Sequence, residues 1–428
     1  MSEGGRRRAI RGWNSWDCYG MYVDEAAVLR QAEAMARCLL PAGYRYLTID
    51  SGWHGNRSRL APPALPYGGR DIPLVIDAHG RYLPSPELFP RGIAFLAERL
   101  RARGLVLGIH LMRGVPREAA EDALPIEGGD GATCADIADR RSLCVWNNWN
   151  YGVADTPAGQ AYYDSVIRLV ASWGVGYIKY DDITEHPSEM RMLAHAVRRI
   201  APHIVLSLSP GGGNKPEYAA CYNLADAVRV TADFWDKRED LVKCVDRAVE
   251  ILGWGSLTTA IDLDMLPFGQ LRISTPRPAN ATVDPLEGWA RWSQLSYEAQ
   301  RHAMALRAVV GSPLIMGGDL CSLDARTLEL LTHPRIIECH DHQHEPAVTH
   351  DEPGQWAAFR CRDRRGGFWM AIVNRSERAL TIDRPLIYPG AVLDAWTGAT
   401  LHAVQRSGRL QLELPAEGAA FLRLLPVS

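Results

Sequence analysis

Residues 173–182 read WGVGYIKYDD, and this stretch decides the fold. A glycine-punctuated turn leads into a short apolar run at residues 175–178, which ends in Lys-Tyr-Asp-Asp. Short apolar runs bounded by glycine are typical of buried parallel strands. Charged groups at such an exit are costly to bury unless they face a site, and in a β/α barrel the chemistry lies at the carboxyl ends of the strands. The stretch therefore predicts a barrel strand that presents Lys179 and Asp181 to a site, or pairs them with each other across the barrel mouth.

The same strand–helix alternation recurs along the first part of the chain. Further strands are predicted in residues 9–20 and 313–320 and at 44–49, 105–110, 204–208, 227–230 and 256–260. Helices are predicted after the cap Asp24 and at 91–103, 157–173, 187–200, 238–252 and 293–310. Eight such alternations over roughly 330 residues fit an α/β fold of the (β/α)8 TIM barrel type. Two long loops, residues 54–90 and 111–156, are expected to shape the outer part of a site.

From about residue 342 the pattern changes to short alternating segments separated by turn residues. Strands are predicted at 355–360, 368–373, 379–382, 392–395, 409–414 and 419–424. Such segments are typical of an antiparallel β-sandwich. The sequence thus predicts a catalytic barrel at residues 1–340 and a C-terminal antiparallel β-sandwich domain at 341–428.

Composition narrows the function classes. The 428 residues are 47% hydrophobic and 23% charged, and the net charge of −3 gives no electrostatic case for nucleic acid or an anionic membrane as partner. No run approaches the roughly 18 apolar residues of a membrane span, and the first residues lack the apolar core of a signal peptide. Nine scattered cysteines without a C-x-x-C motif favour reduced thiols and a cytoplasmic location.

Acidic or polar residues recur at the predicted strand exits, and several tryptophans accompany them. The polar residues are Asp17, Asp50, His110, Asp181, Asp182, Asp233, Asp262, Asp264 and Asp319. The tryptophans are Trp13, Trp16, Trp53, Trp146, Trp149 and Trp235. Sugars offer hydroxyls to carboxylates and C–H faces to aromatic rings, so the set predicts a carbohydrate site. Any one of these tryptophans taken alone is explained by ordinary packing.

Glycoside hydrolysis needs two carboxylates with different pKa values. Lys179 shares a strand face with Asp181 and would keep that carboxylate ionised, as a nucleophile requires. Asp233 follows another strand, four residues after Arg229, and is the candidate general acid.

Other chemistries find less support. Gly211 to Gly213 belong to no phosphate-binding motif, and no Ser or Cys nucleophile motif stands out. His340, His342, His344 and His350 are expected in a solvated loop at the domain junction rather than in a metal site. A metal-dependent hydrolase is a third hypothesis, but the sequence shows no set of residues that would bind the metal. We therefore assign no metal and no cofactor.

The chain resembles glycoside hydrolase family 27, the α-galactosidase and α-N-acetylgalactosaminidase family, over nearly its whole length. The matching segments are residues 12–16 (GWNSW), 46–53 (YLTIDSGW), 107–110 (LGIH), 179–181 (KYD), Arg229 with Asp233, 262–266 (DLDML), 312–314 (SPL), 318–320 (GDL) and 394–398 (DAWTG). The resemblance implies a retaining, metal-free, two-step mechanism with Asp181 as nucleophile and Asp233 as acid/base, about 5–5.5 Å apart as in retaining enzymes generally. The positions it implies for gripping the sugar are Trp16, Asp50, Lys179, Arg229 and Asp264.

Departures from the family pattern leave the sugar open. Ser51 stands where α-galactosidases carry a second Asp, His110 replaces a Tyr, and Ser209 begins a small-residue segment where the 2-substituent is sensed. The family's cysteine bridge near the nucleophile is absent. Ser51, His110 and Ser209, with Trp53 and Arg113, complete the expected substrate-binding set.

The expected partner is an oligosaccharide or glycoside, with α-galactoside-like sugars as the first expectation. Isomaltodextranase-like (α-glucoside), β-L-arabinopyranosidase and α-N-acetylgalactosaminidase specificities stay open, as does a non-catalytic carbohydrate-binding relative. The sequence also leaves open whether the chain forms a homo-oligomer.

Overall fold

The computed structural model of the chain describes residues 9–55, 73–277, 279, 281 and 287–426. The strands within them are β1 (Arg11–Asn14), β2 (Tyr46–Ile49), β3 (Val106–Met112), β4 (Val115–Pro116), β5 (Ala138–Leu143), β6 (Asn150–Val153), β7 (Tyr177–Asp181), β8 (Val205–Leu208), β9 (Ala227–Arg229), β10 (Ala260–Asp262), β11 (Gln270–Leu271), β12 (Arg291–Trp292), β13 (Leu314–Met316), β14 (Gln343–Glu352), β15 (Trp356–Asp363), β16 (Phe368–Asn374), β17 (Leu380–Pro385), β18 (Val392–Asp394), β19 (Arg409–Leu414) and β20 (Ala419–Leu424).

The α-helices of the same residues lie mostly between the barrel strands. They are α1 (Trp16–Tyr19), α2 (Glu25–Cys38), α3 (Gly92–Arg101), α4 (Arg117–Glu121), α5 (Cys134–Ile137), α6 (Pro157–Ser172), α7 (Pro187–Ile200), α8 (Ala219–Tyr222), α9 (Arg238–Gly253), α10 (Tyr297–Val310), α11 (Ala325–Leu331), α12 (Pro334–His342) and α13 (His402–Ser407). The cap predicted at Asp24 is present, since its Oδ1 accepts a hydrogen bond from the amide of Ala27. None of the described helices combines the length and apolar character that crossing a membrane requires.

Eight parallel strands form the first sheet in the order β10-β9-β8-β7-β3-β2-β1-β13. The two ends of this sheet meet at Leu266, whose amide donates to the carbonyl of Ile315 at 2.7 Å and whose carbonyl accepts from the amide of Gly317 at 2.9 Å. The predicted (β/α)8 barrel is therefore confirmed. Because its strands are parallel, their carboxyl ends all lie on one face of the barrel.

The C-terminal part is antiparallel, as predicted. A five-stranded sheet runs in the order β14-β15-β16-β20-β18, and β17 pairs with β19. One hydrophobic cluster extends from the barrel strands to Trp369 and Phe421 of the larger C-terminal sheet. Helix α10 lies between the two parts and is buried along most of its length.

Some element predictions were wrong. The strand expected at 256–260 is β10, which begins only at Ala260, because the amides of Thr258 and Thr259 bond to the side chain of Asn223 outside the sheet. Strand β14 and helix α13 were not predicted at all. His340 and His342 lie in α12, and His344 and His350 in β14, rather than in a solvated loop. Buried His340 contacts Arg11 at 3.2 Å and the carbonyl of Ser312 at 2.8 Å.

One of the two regions predicted as long loops is partly folded into strands. Residues 111–156 contain a three-stranded sheet in the order β4-β6-β5 rather than an open loop. In the loop at 54–90, residues 56–72 lie outside the described part of the chain. All nine cysteines are free thiols, as the sequence indicated.

Candidate active site

A cavity of about 540 Å³ opens at the carboxyl ends of the barrel strands. Its wall consists of Trp16, Met21, Asp50, Ser51, His110, Met112, Trp146, Asn147, Trp149, Lys179, Asp181, Pro210, Gly211, Arg229, Ala232, Asp233, Trp235, Lys237, Asp240, Lys243 and Met265. The mixture of carboxylates, cations and four tryptophans matches the surface that a sugar needs.

Asp181 ends β7 and has hydrogen-bond partners on both carboxylate oxygens. Its Oδ2 lies 3.3 Å from Nε2 of His110, and its Oδ1 accepts the amide of Asp182 at 3.0 Å. Burial alone would raise the pKa of this carboxyl. The hydrogen bond from His110 and the charges of Lys179 and Arg229 outweigh burial and hold the pKa of Asp181 well below its usual range. Asp181 is therefore ionised, as a nucleophile must be.

Lys179 lies two residues earlier on the same face of β7 and pairs with Asp50. Its Nζ donates to Oδ2 of Asp50 at 2.8 Å, and the same oxygen accepts from Nδ2 of Asn14 at 2.7 Å. Burial works against the charged ammonium, but Asp50 and Asp181 raise the pKa of Lys179 above its ordinary value. The pKa of Asp50 is lowered, since the charge and hydrogen bond of Lys179 and the hydrogen bond from the amide of Ser51 outweigh its burial. Lys179 therefore carries a positive charge and Asp50 a negative one in this part of the cavity wall.

Arg229 ends β9 and connects two further carboxylates. Its Nη2 donates to Oδ1 of Asp233 at 2.6 Å, and its Nη1 lies 3.3 Å from Oδ1 of Asp264. The side chain of Asp233 is 42% exposed, whereas that of Asp264 is 4% exposed. Asp264 also accepts the amide of Phe234 at 2.8 Å, and burial raises its pKa despite Arg229. Asp233 is thus the accessible carboxylate of this group and Asp264 its buried support.

The arrangement offers two carboxylates in different surroundings at one cavity. Asp181 accepts a hydrogen bond from an imidazole and lies near two cations, while Asp233, which follows β9, is 42% exposed. Unequal environments of this kind let one carboxyl act as base or nucleophile while the other exchanges protons with solvent and substrate.

The cavity wall includes eight of the twelve residues predicted for the site. These are Trp16, Asp50, Ser51, His110, Lys179, Asp181, Arg229 and Asp233. The other four lie behind the wall. Asp264 supports Arg229, and buried Trp53 donates from Nε1 to the carbonyl of His110 at 2.8 Å. Ser209 is buried, with its Oγ unpartnered among the described residues.

Arg113 is the fourth residue behind the wall, and it anchors the nucleophile loop. Its guanidinium pairs with Asp182 at 2.8 Å and with Glu189 of α7 at 2.7 Å, and its amide donates to the carbonyl of Asp181 at 3.0 Å. It also donates to Ser142 Oγ at 3.0 Å. Arg113 thus ties the end of β7 to α7 and to the loop that carries Trp146 and Trp149.

Sequence reasoning missed several wall residues. They are Met21, Met112, Asn147, Ala232, Lys237, Asp240, Lys243 and Met265. The three charged ones lie at the start of α9 with a spacing of three residues, which places them on one helix face. That spacing could have indicated a shared surface. The methionines could not have been recognised as wall residues, because methionine is equally common in the hydrophobic core.

The described residues contain no group of three or more His, Cys, Asp or Glu side chains arranged to hold a metal ion.

A barrel with paired carboxylates and tryptophans at its strand exits is typical of glycoside hydrolases. The family model Melibiase_2, described as Alpha galactosidase A, matches residues 142–342. Alpha-galactosidase A of Cellvibrio japonicus is 24% identical over 443 residues, covering 97% of this chain and 91% of that protein.

Two solved structures are similar over the full chain. A GH27 β-L-arabinopyranosidase from Geobacillus stearothermophilus is 32% identical with a TM-score of 0.87, covering 98% of this chain and 97% of that one. A putative α-N-acetylgalactosaminidase from Bacillus halodurans is 29% identical with a TM-score of 0.82, covering 99% and 100%. The chain belongs to glycoside hydrolase family 27.

Proposed function

We propose that this protein is a retaining glycosidase that removes terminal sugars of the α-galactoside type, with Asp181 as nucleophile and Asp233 as general acid/base. The observation that carries the proposal is Asp181 itself. It lies on the cavity wall, close to Lys179 and Arg229, with a pKa held low. An ionised, anchored carboxylate beside a second, more exposed one is the pair that double displacement requires.

The two steps follow from these roles. In the first, a carboxylate oxygen of Asp181 bonds to the anomeric carbon, the glycosidic C–O bond breaks, and Asp233 gives its proton to the departing oxygen. In the second, Asp233 takes a proton from water, whose oxygen bonds to the anomeric carbon while Asp181 leaves with its electron pair. Net retention of the anomeric configuration results.

The surrounding residues supply binding and orientation. Arg229 fixes the carboxylate of Asp233 by a 2.6 Å hydrogen bond. Lys179 and Asp50 form a charged pair on the cavity wall, in which Asp50 can accept hydrogen bonds from sugar hydroxyls and Lys179 can donate to sugar oxygens. Trp16, Trp146, Trp149 and Trp235 offer ring surfaces to the C–H faces of the substrate.

A second candidate substrate is a β-L-arabinopyranoside, the sugar that a 32% identical relative is named for. This pentose has the ring configuration of an α-galactoside but lacks the C6 hydroxymethyl group. Ser51 lines the cavity next to Asp50 without supplying a second carboxylate. The absence of that acceptor on the O4 and O6 side favours a sugar without O6.

Parallel assays on p-nitrophenyl α-galactoside, β-L-arabinopyranoside, α-glucoside and α-N-acetylgalactosaminide test the proposal. We expect release from the first two, with the product formed initially in the substrate's anomeric configuration by NMR. Inverted product would contradict the roles of both carboxylates. If the protein released no product from any of these four substrates or from natural oligosaccharides, the proposed activity would be contradicted. The nine free thiols support the cytoplasmic location proposed for this enzyme.

A further inference from the structure

His110 has a position that a simple sugar-binding residue would not need. It lies on β3 in register with Lys179 of β7, and its Nε2 is 3.3 Å from Oδ2 of Asp181. The side chain is only 2% exposed, and Trp53 fixes its carbonyl from behind. The imidazole of His110 is therefore buried where β3 pairs with β7, and its Nε2 faces the carboxylate of Asp181.

The surroundings of the other ring nitrogen, Nδ1, determine which tautomer is favoured. Nδ1 of His110 is buried and has no hydrogen-bond partner among the described residues. A proton on Nδ1 would be a buried donor without an acceptor, which is costly. Of the two neutral tautomers, the one with its proton on Nε2 is favoured, because Asp181 accepts that proton.

We propose that His110 is a positioning residue for Asp181 rather than a ligand for the sugar; this rests on the proposed function. Two donors hold the carboxylate: Nε2–H of His110 on Oδ2 and the amide of Asp182 on Oδ1. One donor lies on β3 and the other follows β7, so the plane of the carboxylate is set before substrate arrives. Such preorganisation lowers the reorganisation needed during reaction.

The hydrogen bond acts in both steps of the reaction. When Asp181 bonds to the anomeric carbon, the imidazole keeps its proton and the carboxylate keeps its orientation. When the ester breaks and the electron pair returns to Asp181, the same Nε2–H stabilises the charge that reappears. No proton leaves His110 at any point, so the proton balance stays with Asp233 and water.

A sugar contact would need a free polar atom on the ring. Nε2 is engaged by Asp181, and Nδ1 is buried on the opposite edge. The polar role toward substrate expected for this position therefore falls to its neighbours in the wall.

The variants His110→Phe and His110→Gln separate shape from hydrogen bonding. Phe keeps a planar ring without a donor, whereas Gln keeps a neutral N–H donor. A hydrogen bond to a charged group corresponds to about a 10- to 100-fold effect, so we expect kcat to fall by that factor in the Phe variant, with KM within about threefold of wild type. The Gln variant should recover most of the loss. The same substitutions at His203, an exposed residue after α7, should change nothing.

The pH profile gives a readout that a purely structural role would not move. The charged or titratable groups around Asp181 are His110 on β3, Lys179 on β7, Arg229 on β9, Asp182 next in the chain and Cys144 after β5. Loss of the His110 donor should move the acidic limb of kcat/KM to higher pH by about one to two units, because Asp181 must stay ionised. A higher KM with unchanged kcat and an unmoved acidic limb would overturn the proposal.

An NMR measurement tests the hydrogen bond without turnover. In protein labelled with 15N-histidine, the signals lost in His110→Phe identify this ring. They should report a proton on Nε2 and a bare Nδ1, and Asp181→Asn should shift them. A cationic ring or a proton on Nδ1 in an active enzyme overturns the role of His110, even if its variants fold poorly. A correct tautomer in a protein inactive on every glycoside overturns the proposed function instead.

Discussion

Arg229 donates a 2.6 Å hydrogen bond to Asp233, four residues further along the chain. The same guanidinium lies 3.3 Å from Asp264, which is buried behind it. Arg229 is thus held from behind by one carboxylate while it orients the other at the cavity wall. The position of the candidate acid/base depends on this chain of two contacts.

Asp233→Ala should make activity depend strongly on the leaving group. A poor leaving group needs the proton of Asp233, so we expect a loss of about 10²- to 10⁴-fold on alkyl or sugar aglycones. Activated aryl glycosides should lose far less in the first step, and added azide should speed turnover and yield a glycosyl azide. Steady-state kinetics over a series of leaving groups measures this. Glu239→Ala, an exposed change at the start of α9 outside the wall, is the control. Equal losses on all leaving groups, without azide rescue, would exclude Asp233 as the acid.

Lys179→Met should cost stability as well as activity. It leaves the buried carboxylate of Asp50 without its 2.8 Å partner. Breaking a buried pair in this way costs about 3–5 kcal/mol, and Lys179→Met with Asp50→Asn should recover part of it. Urea denaturation gives the free energy of unfolding. The exposed pair of Arg409 and Asp383 is the matched control, where Asp383→Asn should change the free energy of unfolding far less. Equal losses at both pairs would contradict the account.

The Asp50 interaction also predicts a pH dependence with a definite sign. The folded-state pKa of Asp50 is lowered, so its contribution to stability is present above its unfolded pKa and is lost as pH falls through the folded value. Wild type should therefore lose stability below about pH 4. The double variant should lose less over the same range in urea titrations.

Ser51→Asp should shift specificity toward the hexose. A carboxylate next to Asp50 could accept hydrogen bonds from O4 and O6, and only the galactoside has O6. We expect the ratio of kcat/KM for the α-galactoside over the β-L-arabinopyranoside to rise at least about tenfold, the effect of one hydrogen bond to a charge. Ser51→Ala removes the hydroxyl without adding charge and should leave the ratio within about threefold. If this ratio were unchanged in the Ser51→Asp variant, residue 51 would not face the C6 side of the sugar.

His340 should make the protein less stable as pH falls below neutrality. Burial, together with the nearby charge of Arg11, lowers its pKa to about 4, so the folded state holds it neutral. The unfolded chain protonates near the usual value, so stability is full above about pH 6.5 and declines toward pH 4. His340→Gln should reduce this decline by up to about 3 kcal/mol in urea titrations at pH 7 and 4.5. The exposed His203→Gln should leave the slope unchanged, and equal slopes in all three proteins would contradict the buried neutral state.

Sequence patterns predicted the strand exits well because barrel strands are short apolar runs with polar ends. Asp50, Lys179, Asp181 and Arg229 stand at such ends, and parallel pairing brings them to one cavity. The sequence pattern does not show in which direction a side chain points when its residue lies just beyond the end of a strand. Arg113 follows β3 directly and turns to Asp182 and Glu189 instead of the cavity.

The small sheet of residues 115–153 was unpredictable for a related reason. Strand β5 reads ADRRSL and is largely exposed or half-buried, so its sequence has no apolar period. Its pairing with β6 is set by tertiary contacts, among them the hydrogen bond of Arg113 to Ser142. Trp146 and Trp149 were expected at the site and lie on its wall, but the sheet that carries them there could not be predicted from the sequence.

Trapping the glycosyl-enzyme tests the central claim, that Asp181 is the nucleophile, most directly. A 5-fluoroglycosyl fluoride of the preferred sugar should form an ester that breaks down slowly. Peptide mass spectrometry of the inactivated enzyme should then find one added glycosyl group on Asp181, and Asp181→Asn should not be labelled. A label on another carboxylate, or turnover with inversion and no covalent adduct, would contradict the account.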